Sequence, residues 1–449
     1  MSVAPRAIVI SFDHWHLGYL GSYGNDWIET PHLDRLAAQG ITFDRHFSDN
    51  IDPAAANHAW WTGRVQFPLD HDEQRACPSW CDVLHAAGVQ TRLFIESDGK
   101  DDISIAPPFG HVQSVAGRDG FEVPEQETPF ACTVQEVSRW LTGSPTGSGP
   151  AVLWVKSRGI PTPWIPPEVF SDLYLEEFGL AAQGDERTVD STQPEDDETA
   201  DAADDENETE DHEDSHERET VESAAEESED ASEAQRSTVD ESLDWRYAGA
   251  MYAAYATLVD RWLGKLLQAI DASPEWRGAL LIVTAGAGEA LGEHGRLDEA
   301  QAPLRAESVH APLWVRLPER DQAGTRRSAL VQTTDIGPTL LDWLAVPCET
   351  PPLAENDLDL AGKSLLPLVR NTVDEIRDVL WMGSGRTEWG LRTDEFFYAE
   401  PGDQGTETDL SAAVLFEKPH DRWDQFNVLS QFGQVSDDFH DCLQPFRDR

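Results

Sequence analysis

Three short stretches carry most of the side chains able to do chemistry. "SFDHWH" holds Asp13, His14 and His16, "NHAWWTGR" holds Asn57 and His58, and "GEALGEHG" holds Glu289, Glu293 and His294. Carboxylate with imidazole suits zinc or manganese, and imidazole moves protons near neutral pH. Asp13 with His14 or His16, joined by His58, would make a transition-metal set. Against that set, side chains alternate along an extended segment, so His14 and His16 point one way and Asp13 the other. The histidines therefore read as structural or solvent-exposed side chains before they read as ligands. Five cysteines stand at irregular spacing. Cys77 and Cys81 of "CPSWC" are four apart, but no second pair stands at metal-ligand spacing, so they read as small buried side chains rather than zinc ligands. Trp60, Trp61 and Trp164 would suit a sugar pocket, although tryptophans beside such a segment more often belong to a core.

These side chains need a scaffold, and the apolar pattern supplies one. Strands are expected at "AIVISF" (7–12), "VQTRLFI" (89–95), "AVLWVK" (151–156), "ALLIVTA" (279–285) and "APLWVRL" (311–317). Helical patterns separate them: "PHLDRLAAQG", "CTVQEVSRWLTG", "DWRYAGAMYAAYATLVDRWLGKLLQAID" and "TDIGPTLLDWLAV". The first opens on Pro31 and closes on Gly40, the usual helix punctuation. Near-continuously apolar strands divided by helices imply an α/β fold, with a mostly parallel central sheet sandwiched by helices. Ligands of such sheets bind beyond the carboxyl ends of the strands. The site is therefore expected in the loops after Phe12, Ile95, Lys156 and Ala285. Past about residue 375, "LRTDEFFYAE" and "AAVLFEKP" suggest short antiparallel strands. The expected organisation is residues 1–183 and 242–370 as two parts of one α/β domain, 184–241 as an insert, and 371–449 as a small C-terminal α+β subdomain. No internal repeat is visible.

The insert is crowded with Asp and Glu against three arginines and lacks any aromatic residue, so it is expected to be disordered. It reads first as a solvated acidic loop, and second as a segment that docks basic partners or gathers cations. The net charge of −51 argues against a nucleic-acid backbone as partner. No apolar run reaches the length a bilayer needs, so no membrane is expected as partner. "MSVAPRAIVISFDHWH" reads as a first core strand and not a signal peptide, and the odd cysteine count suits a reducing compartment. Both point to a cytoplasmic location.

The order of segments resembles the sulfatase family of the alkaline phosphatase superfamily. "SFDHWHLGYLGSYGNDWIETPHLDRLAAQGITFDRHFS" is similar to the family's opening strand, turn and "TPNLDRLAAEG" helix. "WWTGR" resembles the end of its nucleophile helix, and "LIVTAGAGEALGEHG" its later metal loop. "VHAPLWVRLP", "TTDIGPTLLDWLAV", "LAGKSLLPLVR", "LRTDEFFYA" and "LFEKPHDRWDQFNV" resemble later family segments, in order. The resemblance covers nearly the whole chain outside the acidic insert.

That resemblance implies a chemistry whose parts do not stand at the matching positions. The family's cysteine, the precursor of its formylglycine nucleophile, falls on Pro53, its Pro/Ala on Ala55 and its motif arginine on Asn57. Proline has no attacking atom. Of the paired metal aspartates only Asp13 stands, with His14 beside it as a ligand only of a rewired site. The later Asp-Asn/His pair falls on Gly286 and Ala287, although Glu289 matches. One carboxylate cannot supply the six to eight oxygens of a calcium ion, so the family's calcium or magnesium is not expected here. The sulfate-clamping Lys and His fall on Glu96 and Asp98, two acids that would repel a dianion. The expected function is therefore a sulfatase-like protein without catalysis, one that binds or scaffolds, its partner a protein or a sulfated small molecule or sugar. The alternative is a sulfate- or phosphate-ester hydrolase with a rewired metal site. The pocket expected in either case includes His16, His58, Glu96, Asp98 and Glu289.

Overall fold

A computed structural model describes residues 4–66, 79–97, 109–143, 147, 149–176, 245–294, 303–347, 362–384, 387–402 and 412–447. The acidic insert 184–241, Cys77, Asp98 and Cys348 lie outside the described residues.

The leading strand β1 (Arg6–His14) is buried along almost its whole length. It is followed by α1 (Pro31–Gln39), β2 (Ile41–Phe43), β3 (His46–Phe47), α2 (Pro53–Thr62) and α3 (Trp80–Ala86). Next come β4 (Gln90–Ser97), β5 (His111–Ala116), α4 (Pro129–Gly143), β6 (Ala151–Gly159) and α5 (Glu168–Leu175). The second half contributes α6 (Trp245–Ala272), β7 (Leu280–Ala287), β8 (Leu313–Arg316), β9 (Thr325–Arg327), β10 (Val331–Gln332) and α7 (Ile336–Trp343). An eight-stranded sheet runs in the order β5-β4-β6-β1-β7-β8-β2-β9. The first five strands are mutually parallel, and β8 alone runs against its neighbours. The mostly parallel α/β sheet is thus as the apolar runs imply.

Alternation along β1 divides the core in two. Ile8, Ile10 and Phe12 face α4 and α6, whereas Ala7 and Val9 face α2, α3 and α7. Burial on both faces explains why these strands read as continuous hydrophobic runs. Gly40 does end α1, but its backbone is extended and not left-handed. A Cβ there would lie 2.8 Å from the Val315 carbonyl oxygen, so β8 passing close by is what requires the glycine. No helix among the described residues is long and apolar enough to cross a membrane.

A second, antiparallel sheet of four strands follows: β11 (Leu380–Ser384), β12 (Glu388–Arg392), β13 (Phe396–Pro401) and β14 (Val414–Glu417). The closing helix α8 (Gly433–Arg447) lays Leu443 and Phe446 on Trp381 and Leu391. That helix was not anticipated, although Val435, Phe439 and Leu443 recur at helical spacing.

Candidate functional site

The carboxyl ends of β1, β4, β6 and β7 do gather the charged side chains. In the β1–β6 ladder Ser11 stands opposite Lys156, and Asp13 lies two residues further along on the same face. The Lys156 ammonium reaches up and donates to Asp13 Oδ1 at 2.7 Å. The pair is largely sheltered, with side chains 9% and 17% exposed. One layer below, Trp154 Nε1 donates to Ser11 Oγ at 2.8 Å and fixes the same edge. A lysine inside a buried strand is thereby explained: its charge is neutralised locally, as a buried charge must be.

Glu96, at the end of β4, faces the other layer with Phe94. Its Oε2 accepts the Arg158 backbone N–H at 3.0 Å, while Oε1 is buried with no hydrogen-bond partner among the described residues. Burial pushes this carboxyl up to about 7 and Asp13 adds to the rise, against the Ser157 hydroxyl and Arg158. The Arg158 guanidinium is shared, because its Nη2 donates to Asp119 Oδ2 at 3.0 Å, and Asp119 also accepts from the Tyr255 hydroxyl.

The imidazoles separate. Strand β1 ends at His14, so Trp15 turns into the core edge-on to Phe12, and the alternation that paired His14 with His16 stops. The His14 Nδ1 lies 3.0 Å from the Gly288 carbonyl oxygen. His16 instead accepts the Gly18 N–H at Nδ1, which leaves Nε2 to donate to Glu293 Oε1 at 2.8 Å. Burial alone would raise the Glu293 carboxyl, but the His16 contact and the Leu291 N–H hold it down at about 2. The Tyr252 hydroxyl accepts the His16 backbone N–H at 2.8 Å. Burial, and then the neighbouring Glu289 carboxylate, hold that phenol well above its ordinary range. His58 sits on α2 edge-on to Trp61, and His294 lies 2.5 Å from Glu307. Asp13, His14, His16 and His58 are thus not drawn together. Among the described residues no group of three or more His, Cys, Asp or Glu side chains is placed to hold a metal ion.

Helix α2 and the β7 loop complete the picture. Pro53 is the first residue of α2, where the missing N–H costs nothing. Asn57 is buried, and its Oδ1 has no partner among the described residues. At Gly286 a Cβ would lie 3.0 Å from the Asp13 carbonyl oxygen and 3.2 Å from both Ala56 and Trp60. The space a metal-binding side chain would need there is taken by α2. A hard divalent cation does not fit this donor set, since Asp13 faces an ammonium and positions 286 and 287 offer no side-chain oxygen. Trp60 and Trp61 are core, as their neighbours imply, and Trp164 packs edge-on against Tyr252 at 5.5 Å.

Lys156, Arg158, Asp119 and Tyr252 belong to the site and were not singled out from the sequence. Only Lys156 left a signal, as a charge at the end of the apolar run 151–156.

Residues 5–136 match the family model described as "Sulfatase", and residues 292–383 match the one described as "N-sulphoglucosamine sulphohydrolase, C-terminal". The chain is 22% identical to an N-acetylglucosamine-6-O-sulfatase of Bacteroides thetaiotaomicron, over 97% of its own length and 82% of the other's. It is 29% identical to the multifunctional alkaline phosphatase superfamily protein PehA of Trinickia caryophylli, over 41% of its length and 33% of that protein. Among solved structures it is similar to one in complex with its substrate D-glucosamine-2-N,6-O-disulfate, at 16% identity and a TM-score of 0.69, covering 99% of both chains. The phosphonate monoester hydrolase of Agrobacterium radiobacter matches at 19% identity and a TM-score of 0.68, covering 99% of this chain and 95% of that one. Likeness at these identities is a likeness of fold.

Proposed function

Since this chain belongs to the sulfatase family of the alkaline phosphatase superfamily, we propose that it keeps the family scaffold as a non-catalytic binding or scaffold protein. One observation carries the reading: the Lys156 ammonium sits on Asp13 at 2.7 Å, so the remaining family metal ligand is already neutralised by the chain itself. The surroundings support it. Pro53 offers no nucleophile, Gly286 and Ala287 offer no ligand, and the acid Glu96 stands where an anion clamp is needed. A sulfated sugar is the small-molecule class that the relatives suggest. Cys81, Cys132 and Cys442 are free thiols, which supports a reducing, cytoplasmic setting.

The test is a screen of 4-nitrophenyl sulfate, phosphate and a phosphonate monoester on the full chain, with calcium, magnesium, manganese or zinc supplied, alongside metal analysis of the purified protein. Rates at the buffer background and no stoichiometric metal are expected. Turnover that needs a metal and disappears in an Asp13→Ala variant would instead establish a hydrolase with a rewired site.

A further inference from the structure

A cation-rich hollow of this acidic protein lies away from Asp13. A cavity of about 280 Å³ opens between the β2–β3 segment, the loop before β8 and the antiparallel C-terminal sheet. Phe47, Val309, Met382 and Phe397 form apolar walls, and Arg45, Arg326, Arg392, Lys418 and Arg422 bring five cations to the lining. It shares no lining residue with the Asp13, Lys156 and Glu96 cluster.

Three of those cations already have carboxylates. Arg45 pairs with Asp394 at 2.8 Å, Arg326 with Asp44, and Lys418 with Asp424. The other two do not. Arg392 is buried, its Nη1 donating to the carbonyl oxygens of Thr393 and Phe396, and its guanidinium lies 5.8 Å from the Phe47 ring centroid. Arg422 reaches the Tyr23 carbonyl oxygen at 3.5 Å and lies over the Trp423 ring at 4.7 Å. Neither has a carboxylate within salt-bridge distance among the described residues. Burial, and then the Arg45 charge, push Arg392 down to about 10, against the more distant Asp424 and Asp394 carboxylates. His310, on the same wall, is pushed down to about 3, first by burial and then, against its bond to the Asp44 carbonyl, by Arg422 and Arg392. A buried guanidinium with no carboxylate in contact, as at Arg392, is costly in any protein, and Arg422 stands exposed on the same lining. Both stand out in a chain with 84 acids and 33 Lys and Arg residues.

We propose that this cavity binds a small amphipathic anion, an aryl or short acyl chain ending in a carboxylate or sulfate. The head group takes the open hydrogen-bond donors of Arg392 and Arg422, as guanidinium forks do. The chain lies against Phe47, Met382 and Phe397. The volume is somewhat under twice that of a cavity that holds benzene, which suits about ten to fifteen non-hydrogen atoms. The site stands whether or not chemistry persists at Asp13.

Isothermal titration of the full chain tests it with three probes of matched length: 4-phenylbutyrate, 3-phenylpropyl sulfate and the neutral 4-phenylbutyramide. One anion per chain is expected to bind, with the amide at least roughly tenfold weaker, and the better anion identifies the head group. Because Arg392 is buried, the exposed Arg422 carries the variant test. Arg422→Gln should weaken the anion roughly tenfold, and Met382→Trp should abolish binding by filling the cavity, each variant first shown to melt cooperatively. No binding of either anion at about 5 mM, equal binding of acid and amide, or affinity unchanged in both variants would each overturn the assignment.

Discussion

Replacing Glu96 by glutamine isolates what its burial costs. The carboxyl titrates at about 7 in the fold against an ordinary 4.5, mainly because burial disfavours its charge. Between those two values the folded chain keeps a proton that the unfolded chain has lost, so stability falls as pH rises through that window. The gap corresponds to about 3 kcal/mol at most, fully developed above pH 7 and absent below pH 4.5. Little screening reduces it, because the Glu96 side chain is 2% exposed and its nearest cation, Arg158 Nε at 3.9 Å, is shared with Asp119. Glutamine retains an oxygen for the Arg158 N–H and cannot ionise. Urea unfolding at pH 4, 6 and 8 should give Glu96→Gln stability equal to the parent at pH 4 and up to about 3 kcal/mol greater at pH 8. Parallel stability curves for the two proteins, at any offset, would refute the account, because then the carboxyl titrates alike in both states.

Glu293 should behave in the opposite sense. Held down at about 2, it contributes stability above pH 4.5 that is lost as pH falls toward 2, so Glu293→Gln should cost roughly 2–3 kcal/mol at pH 7 and little at pH 2 by the same unfolding assay. Lys156→Met strands the Asp13 carboxylate and should cost about 3–5 kcal/mol, whereas Lys156→Met with Asp13→Asn should recover most of it. An additive double-mutant cycle would show that the pair is not coupled. Gly286→Asp, which places an acid where the family resemblance would put one, should lower stability by roughly 1–3 kcal/mol through overpacking against Trp60 and Ala56, with no calcium bound in calorimetry.

The sheet was legible because β1, β6 and β7 are covered on both faces, which writes burial directly into runs such as "AIVISF" and "ALLIVTA". Position 53 was readable for a similar reason: proline lacks a nucleophile in any surroundings. What the sequence hid are pairings made by the fold. Asp13 and Lys156 are 143 residues apart, and their contact follows from the β1–β6 register alone. The extended reading of "HWH" failed where β1 stops, since no residue in that triplet announces that Trp15 will turn inward against Phe12. The enclosure of Gly286 was equally invisible, because it depends on how α2 lies across β7.

Strand β1 sits between partners that arrive late. Ala7 pairs with Val152 on one side and with Leu280 on the other. At about 5–20 residues per second, a ribosome needs tens of seconds between making the first strand and delivering its last neighbour. Until β6 is made, a strand with the apolar run Ala7–Ile10 has both hydrogen-bonding edges open, and until β7 is made it has one, a state prone to pair with the wrong chain. Production of this protein should therefore respond to slower synthesis at low temperature and to holdase chaperones more than to changes in its finished surface.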